Sequence, residues 1–284
     1  MLPVILVCQL PFVQEFNMQQ PQAKPFVRQA GSGPTVVCFH SNASSSAQWR
    51  GLMDQLAPMF TVQSPDSYGA GKSPEWPSDR IIALDDEVRL VENLILGAPD
   101  KPLLVGHSYG AAVALMAALR YPQKVRALAL YEPTLFALED AAVPSPNGVE
   151  GIRQAVELAG QALDAGDSDT AARHFIDFWM GAGSWAATAA ERKPAIEKSV
   201  SNVRRWGHAL MTEPTPLAKF AALTMPVLYL TGGCSPESAQ AVARRLVPVL
   251  QRVTVQTLEG LGHMAPVTHA ETVNAVIAEF FRKL

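Results

Sequence analysis

The chain has 284 residues, with 23 Lys+Arg against 26 Asp+Glu and a formal net charge of −3. At 48% hydrophobic and 17% charged residues it reads as a globular protein that can bury a large core without disulfides or metals, which excludes disorder as its main state. So small a net charge supplies no field for phosphate backbones or anionic membranes, so a small-molecule partner is expected and nucleic acid is not.

Met1 to Val13 is apolar, but it is shorter than the roughly 20 residues of a membrane span and is broken by Pro3 and Pro11. No basic residue precedes Lys24, where a signal peptide would want one at its start. Residues 1–24 are therefore expected to be an extension or a first edge strand, without stable membrane insertion. Cys8, Cys38 and Cys234 are far apart and odd in number, which fits neither a disulfide framework nor a zinc site and points to a reduced, cytoplasmic chain.

From residue 34 short β-branched runs alternate with helical stretches, the pattern of a mostly parallel sheet flanked by helices. Thr35–Phe39 is the first buried strand, and a helix over Gln48–Leu56 follows serines that suit its cap. Phe60–Gln63 is the next strand. Leu84, Val88, Val91 and Ile95 recur at helical spacing within Leu84–Leu96. Pro102–Gly106 is a strand running directly into an alanine-rich helix over Tyr109–Leu119. Val125–Tyr131, Pro226–Thr231 and Val253–Thr257 are further strands, and a last helix spans His269–Phe281. Between Pro133 and Met225 the alternation stops, and the stretch is helical in pattern with Trp179, Trp185 and Trp206. It is far longer than the usual connection of about 2–6 residues and is expected to be an inserted cap or lid. The expected division is thus an extension (1–24), a core (25–132 and 226–284) and a helical cap (133–225).

Gly106-His107-Ser108-Tyr109-Gly110 is a G-x-S-x-G sequence lying between a strand and a helix, the context that this motif requires. The glycines leave room for a sharp turn that exposes the Ser108 hydroxyl, and the helix start behind it offers free amides to a developing negative charge. A serine hydroxyl needs a base. Among six histidines, His263 is the best placed, in a glycine-flanked loop after the last strand. His40 and His107 flank the elbow and suit loop hydrogen bonding, His174 and His208 fall in the insertion, and His269 suits a helix start.

The elbow, the late histidine and the strand order resemble the α/β-hydrolase superfamily over roughly 25–132 and 226–284. Asp66-Ser67-Tyr68-Gly69-Ala70-Gly71-Lys72-Ser73 is similar to the D-x-x-G-x-G-x-S turn of that family, and Asp66 stands where a phosphate loop needs glycine. The resemblance implies an α/β-hydrolase fold, no cofactor and no metal. It also implies an oxyanion hole made by the amides of Asn42 and Tyr109, although Ser41 replaces the usual glycine. The family usually places an aspartate where this chain has Ser235, which cannot balance an imidazolium. Glu132, at the end of the strand before the cap, occupies a position from which certain haloalkane dehalogenases supply the acid, and strand ends face the ligand crevice. Glu237 is a second candidate, and no acid at all a third.

His40, Ser41, Trp179 and Trp185 are the candidate substrate contacts. The expected function is hydrolysis of small to medium carboxylic esters through Ser108, His263 and Glu132, by way of an acyl-enzyme. Carbon–carbon hydrolysis of diketone-like ring-cleavage products is the alternative. It would need basic cap residues for a substrate carboxylate, with Arg153, Arg173, Arg192, Arg204 and Arg205 as candidates. A non-catalytic ligand-binding homologue is the third reading. Dehalogenation and epoxide hydrolysis need a carboxylate nucleophile where Ser108 stands. Nothing in the sequence specifies an oligomer.

Overall fold

Strand residues buried along their whole length become the middle of one sheet. In the computed structural model, which describes residues 23–284, the strands are β1 (Val27–Ala30), β2 (Thr35–Phe39), β3 (Thr61–Pro65), β4 (Leu103–His107), β5 (Ala127–Tyr131), β6 (Val227–Gly232) and β7 (Val253–Leu258). Their order is β1-β3-β2-β4-β5-β6-β7. β1 runs antiparallel to β3, and every other pairing is parallel. β2, β4 and β5 expose nothing, as parallel strands covered on both faces must.

Alternate residues of these strands feed two separate cores. Val37, Leu104, Leu128 and Leu130 pack with α2 (Leu84–Leu96) and α3 (Tyr109–Arg120). Val36, Val105, Ala129 and Leu228 face the other way, onto Leu52 and Leu56 of α1 (Arg50–Leu56) and onto Val273 and Ile277 near the C-terminus. Between β5 and β6 come six helices: α4 (Ala137–Asp140), α5 (Glu150–Asp164), α6 (Ser168–Met180), α7 (Ser184–Ala187), α8 (Lys193–Val200) and α9 (Val203–Met211). The chain then adds α10 (Glu237–Leu246), a single turn α11 (Ala265–Thr268) and α12 (Ala270–Arg282).

The expected α/β class and its parallel core strands are present. β1 is an addition, for its polar Arg28-Gln29 pair hides an edge strand that needs no apolar run. The fifth strand begins at Ala127 rather than Val125, and the last helix is preceded by the separate turn α11, with His269 between the two. The extension proposed for residues 1–24 lies almost wholly outside the described residues, and its last two, Ala23 and Lys24, are in no regular element. Among the described residues no helix is long and apolar enough to cross a membrane.

Candidate active site

Parallel register places the site at the carboxyl ends of adjacent strands. His107 of β4 is paired with Tyr131 of β5, so Ser108 and Glu132 are the next residues off two neighbouring strands. Ser108 N–H donates to the Tyr131 carbonyl at 2.9 Å, and Glu132 N–H donates to Leu230 of β6 at 3.1 Å. The described residues hold three non-glycine residues at positive φ, namely Ala43 (53°), Ser108 (56°) and Glu132 (44°). All three are at this edge, and such strain persists only where surrounding contacts over-determine it. The glycines of the elbow answer to space: a Cβ on Gly106 would lie 2.4 Å from Ala111 Cα, and one on Gly110 2.4 Å from the Phe39 carbonyl oxygen.

His263 comes from the loop after β7 and is pulled back across β6 to meet the two strand ends. Cys234 N–H donates to Leu261 O at 2.8 Å, and Tyr131 Oη donates to Gly262 O at 2.8 Å. The ring then spans the gap. His263 Nδ1–H donates to Glu132 Oε2 at 2.6 Å, and Nε2 accepts from Ser108 Oγ at 2.9 Å. The other carboxylate oxygen, Oε1, accepts from Thr231 Oγ1 at 2.8 Å and Gly232 N–H at 2.7 Å. Burial alone would raise the Glu132 carboxyl. The hydrogen bond and charge of His263 outweigh it, with the Ser235 hydroxyl and the Gly232 amide, and hold the acid below its ordinary value. Ser235 thus stands beside the carboxylate rather than replacing it. Glu237 is turned outward to Arg244 and is not the partner of His263.

The other candidates divide. Ser41, Asn42 and Trp179 line a cavity of about 420 Å³ that opens onto Ser108, with Phe175, Met264 and Val267 among its apolar walls. The Trp179 ring stacks on His263, 3.9 Å between centroids and 25° between planes. Tyr109 is the first residue of α3, so its amide has no intrahelical acceptor. Its hydroxyl instead donates to buried Glu87 at 3.3 Å. Two expected substrate contacts, His40 and Trp185, stand outside the lining of this cavity. His40 is buried with both ring nitrogens engaged: Nδ1–H donates to Ser41 O at 2.7 Å, and Nε2 accepts from Ser67 N–H at 3.0 Å. Trp185 is tied to Asp169 and Asp177, under the Lys193 ammonium, and is not part of the lining of this cavity. Asp66, expected to exclude a phosphate, fills the amide cradle itself, accepting from Ser46 N–H at 2.5 Å and Lys72 N–H at 2.8 Å.

Gln48, read from sequence only as a helix start, links the loops. Its Oε1 accepts both the amide (3.0 Å) and the hydroxyl (2.9 Å) of Ser41, so the Ser41 hydroxyl proton is not available to a ligand. Its Nε2 donates to His107 Nδ1 at 3.1 Å, and His107 Nε2–H donates to the His263 carbonyl at 2.8 Å. His107 is thereby a neutral spacer, and burial with the nearby His263 holds its pKa well below 6.5. The departure from glycine at 41 was the one signal available in the sequence. Gln48→Ala leaves three groups without partners and is expected to remove on the order of 2 kcal/mol of stability. A urea titration would read this as a lower midpoint at unchanged slope, and an unmoved midpoint would refute it.

The sequence profile of the alpha/beta hydrolase fold matches residues 34–270. Over 117 residues the chain is 36% identical to a 2-(acetamidomethylene)succinate hydrolase of Mesorhizobium japonicum, covering 40% of this chain and 41% of the relative. Over 159 residues it is 30% identical to a pimeloyl-[acyl-carrier protein] methyl ester esterase of Chromobacterium violaceum, covering 56% of this chain and 59% of the relative. The chain therefore matches only about half the length of these two relatives. An alpha/beta hydrolase of Sphaerobacter thermophilus has a similar structure, with a TM-score of 0.70 at 28% identity over 90% of this chain and 95% of that one. The sheet order, the profile match and these relatives agree, and the chain belongs to the alpha/beta hydrolase fold family.

Proposed function

We propose that the protein is a serine hydrolase that cleaves small to medium carboxylic esters, with Ser108 as nucleophile, His263 as base and Glu132 as acid. The observation that carries the reading is the unbroken line Ser108 Oγ, His263 Nε2, His263 Nδ1 and Glu132 Oε2, with both hydrogen bonds under 3 Å. Ser108 Oγ attacks the ester carbonyl as His263 Nε2 takes its proton, and Glu132 remains ionised to balance the imidazolium. The amides of Asn42 and Tyr109 receive the oxyanion; a donor of this kind contributes about 2.7–4 kcal/mol to the transition state. His263 then protonates the departing alkoxide. Water, deprotonated by the same nitrogen, releases the acid.

Residues 133–225 act as the cap. Trp179 roofs His263, keeping water from the imidazole face and placing π density beside the charge that forms there. Substrate size follows from the space on either side of Ser108. The main cavity of about 420 Å³ takes one arm of the ester, while the second void bordering Ser108, about 20 Å³, takes a methyl-sized group. Resemblance to a methyl ester esterase favours the same chemistry.

A fluorophosphonate serine probe should label Ser108 stoichiometrically, and a series of methyl esters of increasing acyl length should be hydrolysed. No label and no turnover would sink the proposal. A chain that takes the label yet leaves every ester intact would favour carbon–carbon hydrolysis of diketone-like substrates through the same three residues.

A further inference from the structure

Five arginines were candidates for holding a substrate carboxylate. In the folded chain Arg153 pairs with Asp140, Arg204 with Asp164 and Arg205 with Glu75, while Arg173 donates to Thr170. Arg192 differs. Like Arg173 it has no carboxylate within ion-pair distance among the described residues, but of the five it is the one that lines the cavity opening onto Ser108.

The remainder of that lining is uncharged. Phe175, Ile176, Trp179, Met180 and Ile196 form the wall supplied by the helical segment, and the polar contributions of the sheet edge are hydroxyls and the Asn42 amide. Lys193, the next residue, is turned away onto the Trp185 ring. Glu191, the preceding residue, makes no ion pair with Arg192 and borders the adjoining cleft, which Arg192 and Lys198 also border. The cavity thus presents an apolar channel with the serine hydroxyl at one place on its wall and one unneutralised guanidinium at another. Arg192 is itself an exposed residue on the border of this cavity and the adjoining cleft, and a guanidinium is a planar fork of donors matched to a carboxylate.

We infer that the Arg192 guanidinium is a carboxylate-binding subsite, so that the favoured substrates are half-esters: acyl chains that carry the scissile ester at one end and a free carboxylate at the other. This rests on the hydrolase reading and narrows it to a substrate class. The small void beside Ser108 accepts the leaving methyl group, and the apolar channel covers the methylenes between the two ends. Arg192 binds; the reaction still runs through Ser108 and His263.

The test compares monomethyl glutarate with methyl valerate, which differ by a carboxylate in place of a terminal methyl, in wild type and R192Q. Wild type should favour the half-ester in kcat/KM. In R192Q the ratio of the two substrates should fall on the order of 10- to 100-fold, mostly through KM, as expected for loss of a hydrogen bond to a charged group. R192K should recover part of it. An unchanged ratio in R192Q overturns the subsite.

A second reading does not depend on turnover. Glutarate, the product acid, should bind wild type about tenfold or more tightly than R192Q at low salt, read by calorimetry, with the difference shrinking as salt is raised. Equal affinity, or no binding to wild type, overturns the subsite. Binding that follows Arg192 in a protein inert on every ester would instead leave the subsite standing and remove the ester reading.

Discussion

Glu132→Gln is expected to lower kcat by about three to four decades while leaving the fold and KM nearly unchanged. The reason is tautomeric. The substituted side chain can keep its carbonyl oxygen on Thr231 Oγ1 and the Gly232 amide, so the local structure survives. Its NH2 group then faces His263 Nδ1, which must become an acceptor. That moves the ring proton to Nε2, the nitrogen that must receive the Ser108 proton, and removes the charge opposing the imidazolium. Glu132→Asp keeps the charge but shortens the reach, and should fall between the two. Stopped-flow or burst kinetics on the best methyl ester would check this. A Glu132→Gln enzyme within a factor of about ten of wild type would remove the acid assignment.

The second large effect concerns stability and lies behind the elbow. Glu87 is almost fully buried at the start of α2. Its oxygens accept from Tyr68 N–H at 3.2 Å and from the Tyr109 hydroxyl at 3.3 Å. Burial, with the neighbouring Asp86 carboxylate, outweighs these bonds and the distant Arg205, and raises the Glu87 pKa from 4.5 to about 8. The sign follows from linkage. An acid whose pKa is higher folded than unfolded binds more protons in the folded state between the two values, so stability falls as pH rises through that window. Between about pH 4.5 and pH 8 wild type should lose on the order of 4 kcal/mol that Glu87→Gln, whose amide oxygen can accept from Tyr68 N–H while its NH2 donates to the Tyr109 hydroxyl oxygen, does not lose. Urea unfolding of both proteins from pH 5 to 9 isolates this, because every other titrating group is shared. Parallel stability curves would show that Glu87 ionises freely.

Most of the core was legible because parallel strands buried on both faces write themselves as apolar runs, and Ser108 was legible because its motif sits between such a run and a helix. His263 and Glu132 were legible by position, at a late glycine-flanked loop and a strand end. Their convergence was not, since it depends on the β4–β5–β6 register and on a loop crossing back over β6. His40 misled because a polar residue beside an elbow looks the same whether it faces the crevice or the adjacent turn. Trp185 misled because a tryptophan near a glycine bend carries no mark of which side of its helix faces inward. Arg192 could not be told from four other arginines until the fold paired three of them with acids and turned Arg173 to Thr170. Gln48 had no motif to announce it, and its role depends on three chain segments, those of Ser41, His107 and His263, that meet only in three dimensions.

Glu132 is also the first residue after β5, where the chain departs into the six helices, and it returns only at β6. It is pinned there by its own amide on Leu230 and by the bonds to its carboxylate. The helical segment therefore leaves the sheet beside a residue that is itself held by β6 and by His263. A change confined to the helical segment would thus leave the bonds that fix Glu132 in place, because each of them is made to β6 or to His263.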